Sequence, residues 1–206
     1  MTVTIDFYLG LGSRYSYLAA SQVERIEAAH DCRFAWKPIA SGALMDRRGG
    51  NPFRAAPVSG QYDWGYREYD AKCWAKYYGI PFREPVAFRV DPDILALACL
   101  AADGQGALVP CCRLLQQLIF IDGIAITANE IARLPERLGL DRQAFQHDLA
   151  SPETRTRHEG LLDEVRARGA FGVPTFFIGD RMFCGNDRLV LLEAALRGAD
   201  MPVHMI

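Results

Sequence analysis

Val3-Thr-Ile-Asp-Phe-Tyr-Leu9, followed by Gly10-Leu-Gly-Ser13 and then Arg14-Tyr-Ser-Tyr-Leu-Ala19, is the stretch that decides the fold. Val3, Ile5, Phe7 and Leu9 alternate onto one face, the two-residue period of a strand. The glycines and Ser13 break it, and Tyr15 to Ala29 then reads as a helix with Leu18, Val23 and Ile26 turned inward. A second short strand, Cys32 to Ile39, follows. Strand, helix and strand within about 40 residues make a βαβ unit, expected to be parallel and right-handed.

Ser41 to about Gly65, rich in Gly, Pro and Arg, reads as loop. Nearly everything from there to Arg168 reads as helix, with marked boundaries. Gly79-Ile-Pro81 ends the helix that carries Trp74. Asp91-Pro92 is a cap followed by a first-turn proline. Thr127-x-x-Glu130 has capping-box spacing, and Ser151-Pro152 opens a helix that Gly169 closes. The register then changes back: Thr175 to Ile178 is a strand, Gly179-Asp180 a hairpin turn, and Met182 to Cys184 the return strand. Asn186 or Asp187 is expected to cap a last helix with Leu189, Leu192 and Leu196 on one stripe. Neither sheet-forming half can bury a sheet face alone, so the two are expected to join into one sheet. The expected fold is α/β and thioredoxin-like, βαβ…ββα with a large helical insertion. Residues 1–40 and 170–206 form the discontinuous thioredoxin-like part, and 41–169 the insertion.

Composition excludes other classes. At about 150 residues per domain, 206 residues suit one elaborated domain. Half the residues are hydrophobic and 23% charged, which excludes disorder. With 23 basic against 25 acidic residues, no basic field points to nucleic acid. The N-terminus lacks a basic leader, and Asp6 stands where a signal peptide would be apolar. No apolar run approaches the roughly 18 residues that span a bilayer, so a cytoplasmic protein is expected. The six cysteines (Cys32, Cys73, Cys99, Cys111, Cys112 and Cys184) show no C-x-x-C spacing, so they read as small hydrophobes rather than disulfides or a zinc site.

Three features converge on one end of the expected sheet. Ser13 and Ser16 open the first helix where thioredoxin-like folds carry C-x-x-C, which removes dithiol exchange. A hydroxyl there can donate to another molecule's thiolate near free helix N–H groups, or Ser13 simply caps the helix. Gly172-Val-Pro-Thr175 places Pro174 at a strand start; in this fold class the bond before it is expected to be cis, which is cheap at X-Pro and turns the Val173 backbone outward, with an ordinary trans edge proline as the alternative. Cys184-Gly-Asn-Asp-Arg188 enters the last helix; its N–H groups could hold a carboxylate and Asp187 a ligand ammonium, or it is an ordinary cap.

In Asp6-Phe-Tyr…Ser13-x-Tyr-Ser-Tyr-Leu-Ala19, Trp74-Ala…Tyr78-Gly-Ile-Pro81, Leu138-Gly-Leu-Asp-Arg-x-Ala-Phe145 and Gly172-Val-Pro-Thr…Gly185-Asn-Asp-Arg-Leu189, the chain resembles a known family. This is the 2-hydroxychromene-2-carboxylate isomerases, relatives of kappa-class glutathione transferases among DsbA-like proteins. The resemblance spans almost the whole chain in the family's order. It implies a glutathione-dependent isomerase of an aromatic, chromene-carboxylate type of substrate, cytoplasmic and homodimeric. By resemblance Ser13 bonds the glutathione sulfur and favours its thiolate. Val173 pairs with the cysteinyl part, and Cys184, Gly185, Asn186 and Asp187 hold the γ-glutamyl end. Asn51 lines the shared cleft. The implied chemistry is conjugate addition of a thiolate to an enone, rotation, and elimination. A kappa-like transferase or peroxidase and a DsbA-like thiol oxidoreductase are the alternatives.

Three positions depart from that pattern. Arg14 replaces a proline and adds positive charge beside Ser13. Met45 falls where the isomerases carry a lysine for the substrate carboxylate, and Phe88 where they carry a tyrosine. Outside these motifs, His30, His147, His158 and His204 show no metal spacing and read as surface or capping groups. The aromatic segment from Tyr62 to Tyr78 reads as core packing of the helical block, with a roof over an aromatic substrate as the alternative.

Overall fold

The computed structural model describes residues 2–47, 51–54, 60–84, 92–200 and 202. Strand β1 (Val3–Leu9) pairs parallel with β2 (Cys32–Pro38), Val3 opposite Cys32 and Leu9 opposite Pro38. Strand β3 (Thr175–Ile178) joins β1 antiparallel, and β4 (Arg181–Cys184) closes the hairpin, giving the order β2-β1-β3-β4. The two ends of the chain thus share one sheet. One face of β1 is buried from Ile5 onward, and the other only at its C-terminal end. Ile5, Phe7 and Leu9 enter the larger core, where Phe7 stacks on Phe176 with centroids 4.7 Å apart; Tyr8 enters a second cluster with Leu162 and Phe177.

The expected helix from Tyr15 to Ala29 is two: α1 (Arg14–Ala20) and α2 (Val23–Ala29). Ser21 explains the break. Its hydroxyl donates back to the Leu18 carbonyl at 2.6 Å, and the Gln22 N–H takes the Ala19 carbonyl in a tightened turn. The stretch read as loop after Ser41 begins with a helix, α3 (Ser41–Arg47), followed by single turns at Pro52–Arg54 and Gly60–Tyr62. Seven residues hold a helix poorly by themselves, and docking stabilises this one. Leu44 is fully buried in the second cluster, and Arg47 pairs with Glu159 and, at 2.8 Å, with Asp163.

Asp63 caps α4 (Trp64–Tyr78) by accepting the Tyr66 N–H, and Gly79, at φ +68°, ends it in the left-handed conformation that glycine adopts without strain. Helices α5 (Pro92–Asp103), α6 (Leu108–Phe120), α7 (Ala128–Ala132), α8 (Leu134–Leu138), α9 (Arg142–Ala150) and α10 (Pro152–Ala167) complete the block. Thr127 and Ser151 cap α7 and α10 as their spacing indicates. His158, expected at the surface or as a cap, is instead buried in α10, where its Nε2 accepts the Ala40 N–H at 3.1 Å. The last helix, α11 (Leu189–Leu196), buries Leu189 and Leu192, but neither Asn186 nor Asp187 caps it. Both lie in a 3-10 turn, Asn186–Arg188, that precedes it. Among the described residues no helix is long and apolar enough to cross a membrane.

On the face of β1 that carries Tyr8, Asp6 accepts from Arg168 at 2.6 Å and lies 3.1 Å from Lys37. Burial pushes its carboxyl up, but these two bonds outweigh burial and hold it below the usual aspartate value. A carboxyl depressed on folding contributes stability above about pH 4 that is lost as pH falls further. Asp6→Asn should therefore flatten the fall of Tm below about pH 4, and cost under about 1 kcal/mol at neutral pH because water screens the contact. A Tm profile superimposable on the parent's would show that the pair contributes nothing.

Candidate active site

The Gly10 turn sets the first part of the site. The Ser13 N–H bonds the Gly10 carbonyl at 3.0 Å, and the Gly10 N–H donates to the fully buried Ser16 hydroxyl at 3.2 Å. Ser16 is therefore structural. Ser13 is half-buried, in extended conformation, and its Oγ accepts the Ser16 N–H at 3.3 Å. It does cap α1, as the plainer reading of the sequence has it. Among the described residues its hydroxyl hydrogen has no protein acceptor.

Val173-Pro174, a cis peptide as expected, abuts this turn. A Cβ on Gly10 would lie 3.1 Å from Val173 Cγ2 and 3.3 Å from Ser41 Oγ, so any side chain there would press on both. Among the described residues the Val173 backbone bonds nothing else in the protein. The Pro174 carbonyl accepts the Gly185 N–H at 2.9 Å, and the Asn186–Arg188 turn packs against α1. Ser13, Val173 and Gly185–Asp187 are thus gathered at one end of the sheet. Gly185, at φ +117°, leaves room for Asp187 Oδ1 to fold over it.

The three side chains in this turn differ. Burial pushes the Cys184 thiol up, against a hydrogen bond from Thr175, so it stays protonated. Asn186 is 2% exposed; its Oδ1 accepts the Tyr78 hydroxyl at 3.2 Å, and its buried Nδ2 has no partner. Asp187 is exposed and lies 3.3 Å from its neighbour Arg188. Asn186 and Asp187 line a cleft of about 850 Å³ whose other walls include Arg25, Trp74, Tyr78 and Glu193.

On the other side of Ser13 the sequence is less informative. Arg14, read as added positive charge, is 6% exposed and already matched. Its guanidinium pairs with Glu84 (Nε to Oε2 3.3 Å) and lies over Trp64, 5.5 Å from the ring centroid. Trp64 stacks on Phe53, centroids 4.9 Å apart, and Tyr62 meets Phe53 edge-on. Much of the aromatic segment is not core: Trp64, Tyr66, Tyr69 and Tyr77 are each more than half exposed. The expectation of core packing holds for the partly buried Trp74 and Tyr78 only.

Met45 is half-buried on α3, with no charge for a carboxylate. Asn51 Nδ2 donates to Asp46, and its Oδ1 accepts the Phe53 N–H, which fixes the loop leading into the aromatic group. Phe88 lies outside the described residues. Sequence reading missed Glu84 and Arg67, whose guanidinium contacts the rings of Tyr15 and Phe53. Their positions, about 70 and 53 residues after Arg14, give no local signal.

A thioredoxin-like sheet with a cis-proline loop facing a serine-capped helix defines a thioredoxin-fold protein that has no dithiol at its site. Residues 4–197 match the DSBA-like thioredoxin domain, and the chain belongs to that family. Its curated relatives narrow the class. The chain is 29% identical over 193 residues to the 2-hydroxychromene-2-carboxylate isomerase of Pseudomonas putida, covering 93% of each chain. It is 30% identical over 209 residues to that of Sphingobium xenophagum, covering 95% of this chain and 99% of the relative. A solved 2-hydroxychromene-2-carboxylate isomerase superposes with a TM-score of 0.79 at 26% identity, covering 95% of both chains.

Proposed function

We propose that this protein is a glutathione-dependent isomerase that acts on 2-hydroxychromene-2-carboxylate or a close aromatic analogue. The observation that carries the reading is Ser13: a hydroxyl with an uncommitted hydrogen stands beside the cis Val173–Pro174 loop in place of a redox thiol. The same-named relatives across at least 93% of their length supply the substrate class.

Two features suit the tripeptide. The open Val173 backbone can pair with a peptide, and the orphaned, buried Asn186 Nδ2 needs an acceptor that a ligand carboxylate could supply. Glutathione, when bound, supplies a thiolate that adds reversibly to an enone carbon. In this reading Ser13 Oγ donates to the sulfur and holds it ionised, Val173 aligns the cysteinyl backbone, and Asn186 with Asp187 fixes the γ-glutamyl end. The aromatic wall of Phe53 and Trp64 shields a planar substrate from water. A homodimer in the cytoplasm, without nucleic acid or membrane partners, completes the reading.

The test is spectrophotometric. 2-Hydroxychromene-2-carboxylate should convert to its open-chain trans enone only when reduced glutathione is present, and the glutathione should be recovered. Stoichiometric loss of glutathione into a conjugate would assign the kappa-like transferase reaction instead. No binding of millimolar glutathione by calorimetry would remove both readings.

A further inference from the structure

One guanidinium at this site is unmatched. Arg67, in the first turn of α4, has its Cζ 5.0 Å from the centroid of the Tyr15 ring and 4.8 Å from that of Phe53. Its Nε is buried without a hydrogen-bond partner, and among the described residues no carboxylate lies within ion-pair distance. Arg14 provides the contrast. It shares the aromatic group through Trp64, yet it has Glu84 as a counter-ion. Glu84 and Asp70 act on Arg67 only through space, and Arg14 opposes them, while burial lowers its pKa.

A guanidinium is not deprotonated in a protein, so this half-buried one carries a charge with no ion-pair partner among the described residues, and such a charge gains from an anion that pairs with it. In contact with two rings, this one keeps its planar donor fork, which matches a carboxylate in bidentate geometry. It touches Tyr15, two residues after Ser13, and Phe53, the ring stacked on Trp64. Met45, nearby in sequence to that wall, brings no charge.

We propose that Arg67 is the carboxylate receptor of the substrate cleft, in contact with Tyr15 and Phe53 and completed by an anionic group of the ligand. The inference rests on the isomerase reading for its substrate, but not for its chemistry. Two carboxylates could reach it, the substrate's own or the glycyl end of glutathione, and the experiment separates them.

Arg67→Met and Arg67→Lys are compared with the parent. Benzoate, a minimal aryl carboxylate, should bind the parent at millimolar concentration and bind Arg67→Met at least about tenfold more weakly, with Arg67→Lys between. If the substrate supplies the group, KM for 2-hydroxychromene-2-carboxylate rises by a similar factor in Arg67→Met. Its kcat stays within about threefold, and its methyl ester is handled alike by both proteins. If glutathione supplies it, the Kd of glutathione rises while that of γ-glutamylcysteine, which lacks the glycine, is unchanged. Because Arg67→Met removes an unmatched charge, its ligand-free Tm should equal or exceed the parent's. An arginine with a structural role would lower it. A parent that binds glutathione but turns nothing over fails the isomerase reading and leaves the benzoate and glutathione arms to judge Arg67. Unchanged benzoate, substrate and glutathione affinities in Arg67→Met overturn the inference.

Discussion

Ser13→Ala should lower kcat by about 10²–10³-fold, the loss typical of removing one donor to a developing or held anion, while the Kd of glutathione moves by less than about threefold. A free thiol with a pKa near 8.5 is only a few per cent ionised at neutral pH. The proposed reaction needs the ionised form, and Ser13 Oγ is the side chain placed to favour it. Its other duty is small. As a cap it accepts one 3.3 Å bond from the Ser16 N–H, and losing that bond costs about 1 kcal/mol of stability. Ser16 keeps its own bond with Gly10, so the turn survives. The remaining proposed ligand contacts, at Val173 and Asn186, are untouched. The thiolate absorbance of the glutathione complex should therefore titrate at higher pH in the variant. Full turnover with an unshifted titration would reduce Ser13 to a helix cap and move the ionisation to backbone N–H groups.

What could be read from the chain beforehand divides by the distance of the partner. The β1 alternation, the Gly179-Asp180 hairpin and the caps at Thr127 and Ser151 are set by neighbours within a few residues, and they stand in the structure as read. So does the cis bond before Pro174, which the expected fold class implies and the strand start alone leaves open. Helix α3 was invisible because its stability comes from α10, more than 100 residues away, through Leu44 and Arg47. Arg14 misled for the same reason. Beside Ser13 it reads as a free cation, and only the fold brings Glu84 to it from 70 residues on. Asn186 looks like a cap because it precedes a helix; the fold instead turns its amide inward to Tyr78. The end of the sheet carrying Ser13 and Val173 was thus legible, whereas the wall opposite, built from α4 and the loop before it, was not. That wall depends on ring and guanidinium contacts that no spacing rule encodes.

Asn186→Ala should weaken glutathione binding by about tenfold or more, and more than Asp187→Ala does. Asn186 is 2% exposed, so its amide pays desolvation in full unless both ends are bonded. Oδ1 is satisfied by the Tyr78 hydroxyl, whose pKa burial pushes up to about 12, so it remains a donor throughout the working range. That bond fixes the amide's orientation and directs the unpartnered Nδ2 elsewhere, on a residue that lines the cleft. An acceptor supplied there by a ligand recovers about 1–3 kcal/mol, which is the origin of the tenfold estimate. Asp187 has less to give. Its carboxylate is about half exposed and already shared with Arg188, so its charge is screened and its loss should cost a few-fold at most. Tyr78→Phe supplies the control, since it frees the amide to rotate without removing it. Its loss should be smaller than that of Asn186→Ala, and the double variant should be no worse than Asn186→Ala alone, because the hydroxyl acts only through the amide. Calorimetric titration of the parent and the four variants with glutathione settles the order. A larger loss at Asp187 than at Asn186 would place the ligand's ammonium on the exposed carboxylate and leave the buried amide a structural group.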